Sequence, residues 1–101
     1  MKNTADIIAV IRLFSSKDGG RSGPTPKDKL HCMMVLGEQH FDVRIHLDNI
    51  GALQPGQDAT VPISFFSLDL AKHLVHRGAK FKLREMKVIG EGTIEEVMFV
   101  T

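Results

Sequence analysis

From His40 to Leu47 the side chains alternate without interruption, with Phe41, Val43, Ile45 and Leu47 on one face and His40, Asp42, Arg44 and His46 on the other. Successive strand residues point to opposite sides of a sheet, so this period of two predicts a strand with one face in a core and one in water. The pattern recurs. Ala59, Val61, Ile63 and Phe65 mark a second core-facing run, and Phe81 and Leu83 alternate with Lys80, Lys82 and Arg84 in a third. Ala5 to Phe14, Leu30 to Leu36, and a last run that follows Gly90-Glu91-Gly92 bring the extended segments to six. Six short strands, one long loop and at most one helix predict an all-β fold: a small closed six-stranded barrel with Greek-key-like connections. Its core should contain Phe41, Val43, Ile45, Val61, Ile63, Phe81 and Leu83 together.

The breaks between these runs are chemically specific. Residues 15–29 hold Gly19, Gly20, Gly23, Pro24 and Pro26 among Ser, Thr, Asp and Lys, a density that stops any regular ladder and predicts a long surface loop. No Gly-Lys-Ser or Gly-Lys-Thr follows the glycines, so a nucleotide-binding phosphate loop is not expected. In Gln54-Pro55-Gly56-Gln57 the proline and glycine suit a type II turn. Pro62 lacks a donor N–H, so its strand should be unpaired on one side or bulged there. Within residues 67–78, Leu68, Ala71, Leu74 and Val75 recur at helical spacing; Ser67 is placed to cap and Gly78 to terminate. A short helix or an irregular crossover both fit.

A chain of 101 residues suits one domain over residues 1–101, large enough to bury a core without disulfides or a metal. Apolar residues at 43% and charged residues at 25% are those of a globular protein, and no apolar run approaches the roughly 20 residues a spanning helix needs, so no membrane partner is expected. Met1 to Asp6 lacks the layout of a secretory signal, and Cys32 stands alone; together they lead us to expect a reducing, cytoplasmic location.

Both terminal runs carry more apolar residues than one face of a barrel can bury. In the first, Ile8, Val10 and Phe14 lie on the face opposite Ile7, Ala9, Ile11 and Leu13. In the last, Ile94, Glu96, Met98 and Val100 share one face, and Glu95, Val97 and Phe99 share the other. Either the 15–29 loop covers the surplus, or Ile8, Val10, Phe14, Met98 and Phe99 form an interface with another protein or a second copy.

The net charge of +1 is small but unevenly placed: Lys72, Arg77, Lys80, Lys82, Arg84 and Lys87 face only Glu85 between residues 72 and 87. That region is the candidate for an anion or RNA-backbone contact, against the plainer reading of a solvated strand face with Arg84 paired to a carboxylate. With no Trp or Tyr and only six Phe, stacking platforms for single strands are not expected. Catalytic and metal constellations are not expected either. His40 and His46 are too far apart on one strand to chelate unaided, and His73 and His76 have no acidic or Cys partner nearby in sequence. Cys32 reads as a packing residue, and Glu95 and Glu96 as pointing to opposite sides of a strand. No cofactor is expected.

Several short motifs stand in a telling order. Ala9 to Phe14 is followed by Gly19-Gly20-Arg21, Pro55-Gly56 precedes Val61, and Phe81, Arg84, Glu85, Gly90 and Gly92 form a closing hairpin. In order and spacing this resembles the C-terminal β-barrel of translation elongation factor Tu and related translational GTPases, over most of the chain. The resemblance implies a barrel that packs on other protein domains and contacts the backbone of aminoacyl-tRNA, here without the GTPase domain. A non-catalytic binding module for protein is the leading expectation, with weak RNA or tRNA-backbone binding through residues 72–87 as the alternative.

Overall fold

A computed structural model describes residues 5–99. Six strands, β1 (Ile7–Leu13), β2 (Lys29–Leu36), β3 (Gln39–His46), β4 (Asp58–Phe65), β5 (Lys80–Arg84) and β6 (Val88–Val97), close into an antiparallel barrel in the order β1-β4-β3-β2-β5-β6. β2, β3 and β4 follow one another as neighbours, and β1 lies beside β4, which is the Greek-key arrangement the strand count predicts. Every residue expected in the core is there, with Val43, Ile45, Val61, Ile63 and Leu83 fully buried and Phe41 and Phe81 nearly so.

Local chemistry accounts for the turns. Gly37 and Glu38 join β2 to β3, and Gly37 alone has a positive φ, 61°, as the first position of a type II′ hairpin turn requires. Gln57 N–H donates to the Gln54 carbonyl across the Pro55-Gly56 turn, with Gly56 at φ 87°. At Pro62 the barrel does as a missing donor demands. The Ile63 carbonyl accepts from Asp6 on the β1 side, so the neighbouring Pro62 position faces β3, and the β3–β4 pairing ends at Ile63.

Residues 67–78 form the short helix α1 (Leu68–Ala71), continued by a 3₁₀ turn over Lys72–Leu74. Ala71 and Val75 are buried, and Leu68 and Leu74 pack against the core. The caps differ from expectation. The Ser67 side chain makes no capping bond, and helical structure stops at Leu74, before Gly78. Gly78, at φ 90°, instead serves a turn in which Ala79 N–H donates to the His76 carbonyl.

The end of β6 corrects the expected parity. Ile8 pairs with Glu96 but Ala9 pairs with Ile94, so Glu95 is an extra residue in a β-bulge. The bulge lets Glu95 and Glu96 both reach solvent rather than opposite sides, and it turns Val97 and Phe99 onto the core that Ile94 already faces. Val97 and Phe99 are thereby taken up by the core of the same chain, so Phe99 does not belong to an exposed apolar face. Val100 lies outside the described residues.

Gly90 and Gly92 let β6 run close against its neighbours. A Cβ at Gly90 would stand 2.6 Å from the Arg12 carbonyl oxygen, and one at Gly92 2.5 Å from the Phe81 ring. Phe81 pairs directly with Gly92, so its ring fills the place the absent side chain leaves.

Candidate functional site

The 15–29 connection is anchored rather than loose. Ser15 caps a 3₁₀ turn at Ser16–Asp18, Gly19 reverses the chain at φ 91°, and Gly20 packs directly on the Phe14 carbonyl. Arg21 then reaches the β5–β6 hairpin, where its Nη1 donates to both carboxylate oxygens of Glu85 at 2.5 and 2.6 Å. Its other nitrogens donate to the carbonyls of Gly23 and Pro24. Thr25, nearly fully buried, exchanges bonds with Leu53: its N–H donates to the Leu53 carbonyl and its hydroxyl accepts from the Leu53 N–H. The Gly-Gly-Arg and Arg-Glu motifs, 64 positions apart for Arg21 and Glu85, therefore meet in space. Arg21→Ala should lower stability by about 2 kcal/mol, because it leaves a half-buried carboxylate without its charge-assisted donor. Denaturant titration checks this, and Arg21→Lys should recover only part of the loss.

Next to this clamp, the outer face of β3, β2 and β5 carries an exposed aromatic. Phe65 N–H donates to the Asp6 carboxylate and Phe66 N–H to the Asp42 carbonyl. Fixed from both sides, the end of β4 buries Phe65 and holds the Phe66 ring outside, 55% exposed. His31 meets that ring edge-on at 5.4 Å, and the Arg44 guanidinium lies 4.9 Å over it. Arg44 Nε donates to His31 Nε2 at 3.2 Å, which ties the imidazole and the guanidinium together beside the ring.

The face continues along β2 and across the hairpin. Met33 pairs with Asp42 on one side and Arg84 on the other. Met86, at the hairpin tip, is 95% exposed. A groove of about 390 Å³ runs between Met33, Phe66, Arg84 and Met86. Arg84 has no carboxylate within ion-pair reach among the described residues; the arginine that pairs with a carboxylate here is Arg21. Cys32 lines the inner wall of the groove, where burial, aided by the Glu85 carboxylate, pushes its thiol up to about 12. At neutral pH it stays protonated, so labelling by a thiol reagent should wait on unfolding, which a denaturant-dependent labelling rate checks.

The other residues singled out in the sequence are dispersed. Lys80, Lys82 and Arg84 do share the outer face of β5, but Lys82 is paired with Glu91 at 3.1 Å. Lys72 lies near Asp69 and over the Phe99 ring, toward the start of β5, whereas Lys87 is exposed at the hairpin beyond its other end. Arg77 is exposed in the turn before β5. Of the apolar candidates, Ile8 and Val10 are half-exposed on the outside of β1, and Met98 is exposed opposite Asp6. Phe14 sits at the far end of β1, beside Ile89, and Phe99 packs on the core. A second groove of about 520 Å³ joins Val10 and Thr93 to Lys80, but its Lys82–Glu91 and Arg12–Asp58 pairs compensate each other.

On β3, His46 bonds the Ser64 hydroxyl at 2.8 Å, and burial, then the Arg44 guanidinium, holds its imidazole below the usual 6.5. The unfolded chain therefore binds this proton at a higher pH than the folded one. Stability contributed at this site is intact above 6.5 and declines as the pH falls below it. His46→Gln should flatten that part of the stability profile, measured by urea unfolding across the acid range.

Phe66 was hidden in the sequence as the second of two adjacent phenylalanines at the end of a strand. Parity alone carries the signal, since Phe65 and Phe66 cannot both face the core. The partnership of His31 with Arg44 depends on the β2–β3 register, which the Gly37-Glu38 turn sets.

Together the fold and this face define a small closed β-barrel with an anchored loop and an exposed aromatic, thioether and arginine surface. The chain matches no protein-family model and no curated protein. No described helix is long and apolar enough to cross a membrane.

Proposed function

We propose that this chain is a non-catalytic protein-binding module that docks through the outer face of β3, β2 and β5. The observation that carries the reading is Phe66, held 55% exposed by His31 and Arg44 beside the 95% exposed Met86. Aromatic, Met and Arg side chains are the types enriched at the centres of protein interfaces, and a ring already fixed in place loses little entropy on docking. The resemblance of the motif order to the elongation factor Tu barrel, which packs on other protein domains, supports the same role, in the cytoplasm.

Affinity capture from a cytoplasmic extract, with wild type beside a Phe66→Ser, Met86→Ser variant, tests it. The double variant should melt at the wild-type temperature, since both side chains are exposed, and should lose the protein that wild type retains. Equal capture by the two would overturn the reading.

A second reading has its own observation. Arg77, Lys80, Arg84 and Lys87 follow the line of β5 and have no carboxylate partner among the described residues. Such a line suits an RNA backbone, as the family resemblance implies. Retention on RNA should then fall steeply with salt, and replacing Lys80, Lys82 and Lys87 by Gln should flatten the slope with folding nearly intact. Equal retention by wild type and variant removes it.

A further inference from the structure

Resting on the protein-binding reading, we infer that the partner presents an acidic, apolar linear segment to the groove between Phe66 and Met86. The outer face is a grid fixed by register. On β2, His31, Met33 and Val35 form a central stripe; Arg44, Asp42 and His40 flank it on β3, and Arg84 and Lys82 on β5. The stripe is weakly polar and bounded by the exposed Phe66 and Met86, so it offers dispersion contact and a place for an apolar anchor.

Charge decides the rest of the ligand. Glu85, the acidic residue nearest Arg84 in sequence, has both carboxylate oxygens occupied by Arg21. That leaves Arg84 uncompensated at one wall, with the exposed Lys87 next to Met86 in the hairpin beyond it, while Arg44 lies over Phe66 and donates to His31 at the other. Asp42 is the facing carboxylate, and it makes no ion pair with either arginine. A ligand carrying carboxylates beside an aromatic or leucine matches this surplus, and a carboxylate accepts two parallel bonds from a guanidinium such as Arg84. A basic segment would meet Arg84 and Lys87 with like charge.

The mode of binding follows from barrel closure. The barrel is closed, and β2 is paired on both sides at Met33–Val35, beside the groove, so a partner seated there meets side chains and not an open strand edge. Recognition must run through side chains on the face, which makes it sensitive to single substitutions there.

The test pans phage-displayed random linear peptides on the intact chain, with fluorescence anisotropy of the enriched peptides to measure affinity. Enriched peptides should carry Asp or Glu flanking an aromatic or leucine. Arg84→Gln with Lys87→Gln should weaken them about tenfold or more, and Phe66→Ser should abolish binding while the melting midpoint stays unchanged. Neutral or basic peptides that still require Phe66 would overturn the acidic inference and leave the docking face standing. Peptides indifferent to Phe66→Ser and Met86→Ser, or no enrichment above bare support, would overturn both. Retention of RNA in place of any peptide, released by Arg84→Gln, would overturn the inference in favour of the RNA reading.

Discussion

Gly20→Ala should remove a large part of the stability that keeps this chain folded. A single Cβ at this position would stand 2.0 Å from the Phe14 carbonyl oxygen, 2.6 Å from its carbon and 2.9 Å from the Ser15 carbonyl oxygen. All three are backbone atoms, so no rotamer change relieves the contact. The loop would have to lift off the end of β1, breaking the Gly20 N–H bond to Ser15 and moving Arg21 away from Glu85. Overpacking at a rigid site costs about 3 kcal/mol, a large part of the roughly 5–15 kcal/mol that holds an ordinary domain together. Gly23→Ala supplies the control, because a Cβ there meets nothing within 4 Å. Urea midpoints of the two variants should differ widely, and equal midpoints would show that the loop is not anchored as described.

Phe81→Ala should cost about 3 to 5 kcal/mol, as large-to-small changes at buried aromatics do. The ring is 3% exposed and fills the space over Gly92, where neighbouring backbone has no side chain with which to close a cavity. A melting midpoint lowered by more than about 10 °C is the expected readout for a domain of this size. Phe66→Ala, removing an equal ring from the exposed face, should shift it little. Comparable losses for the two phenylalanines would defeat the assignment of inside and outside to β4 and β5.

The contrast between these rings shows which parts of the molecule could be read before folding. Phe81 sits in clean alternation, and its burial follows from parity. Phe66 follows Phe65 where the strand ends. Its placement is decided by two hydrogen bonds, one from the Phe65 N–H to the Asp6 carboxylate, 59 positions away, and one from the Phe66 N–H to the Asp42 carbonyl, 24 positions away. The candidate face divides in the same way. Arg84 and Lys87 were legible as an exposed strand residue and a hairpin residue. That Glu85 is neutralised, leaving Arg84 uncompensated, required Arg21 to arrive from the far end of the chain.

The last strand makes the point from the opposite direction. Counting by twos placed apolar residues on both faces beyond Ile94, and the surplus called for either a covering loop or an interface. A single inserted residue, Glu95, shifts the parity, so that Val97 and Phe99 join Ile94 on the core. Strand periodicity is a local property and is written in the order of residues, so the amino-acid sequence by itself determined six strands, the inward faces of β1, β3, β4 and β5, the Pro-Gly turn and the all-β class. A bulge, the contact of Gly20 with Phe14, the Arg21–Glu85 pair and the Arg44–Phe66–His31 cluster join segments distant in the chain. Only tertiary structure decided them, because each depends on barrel register and on which backbone atoms stand opposite one another once the barrel has closed.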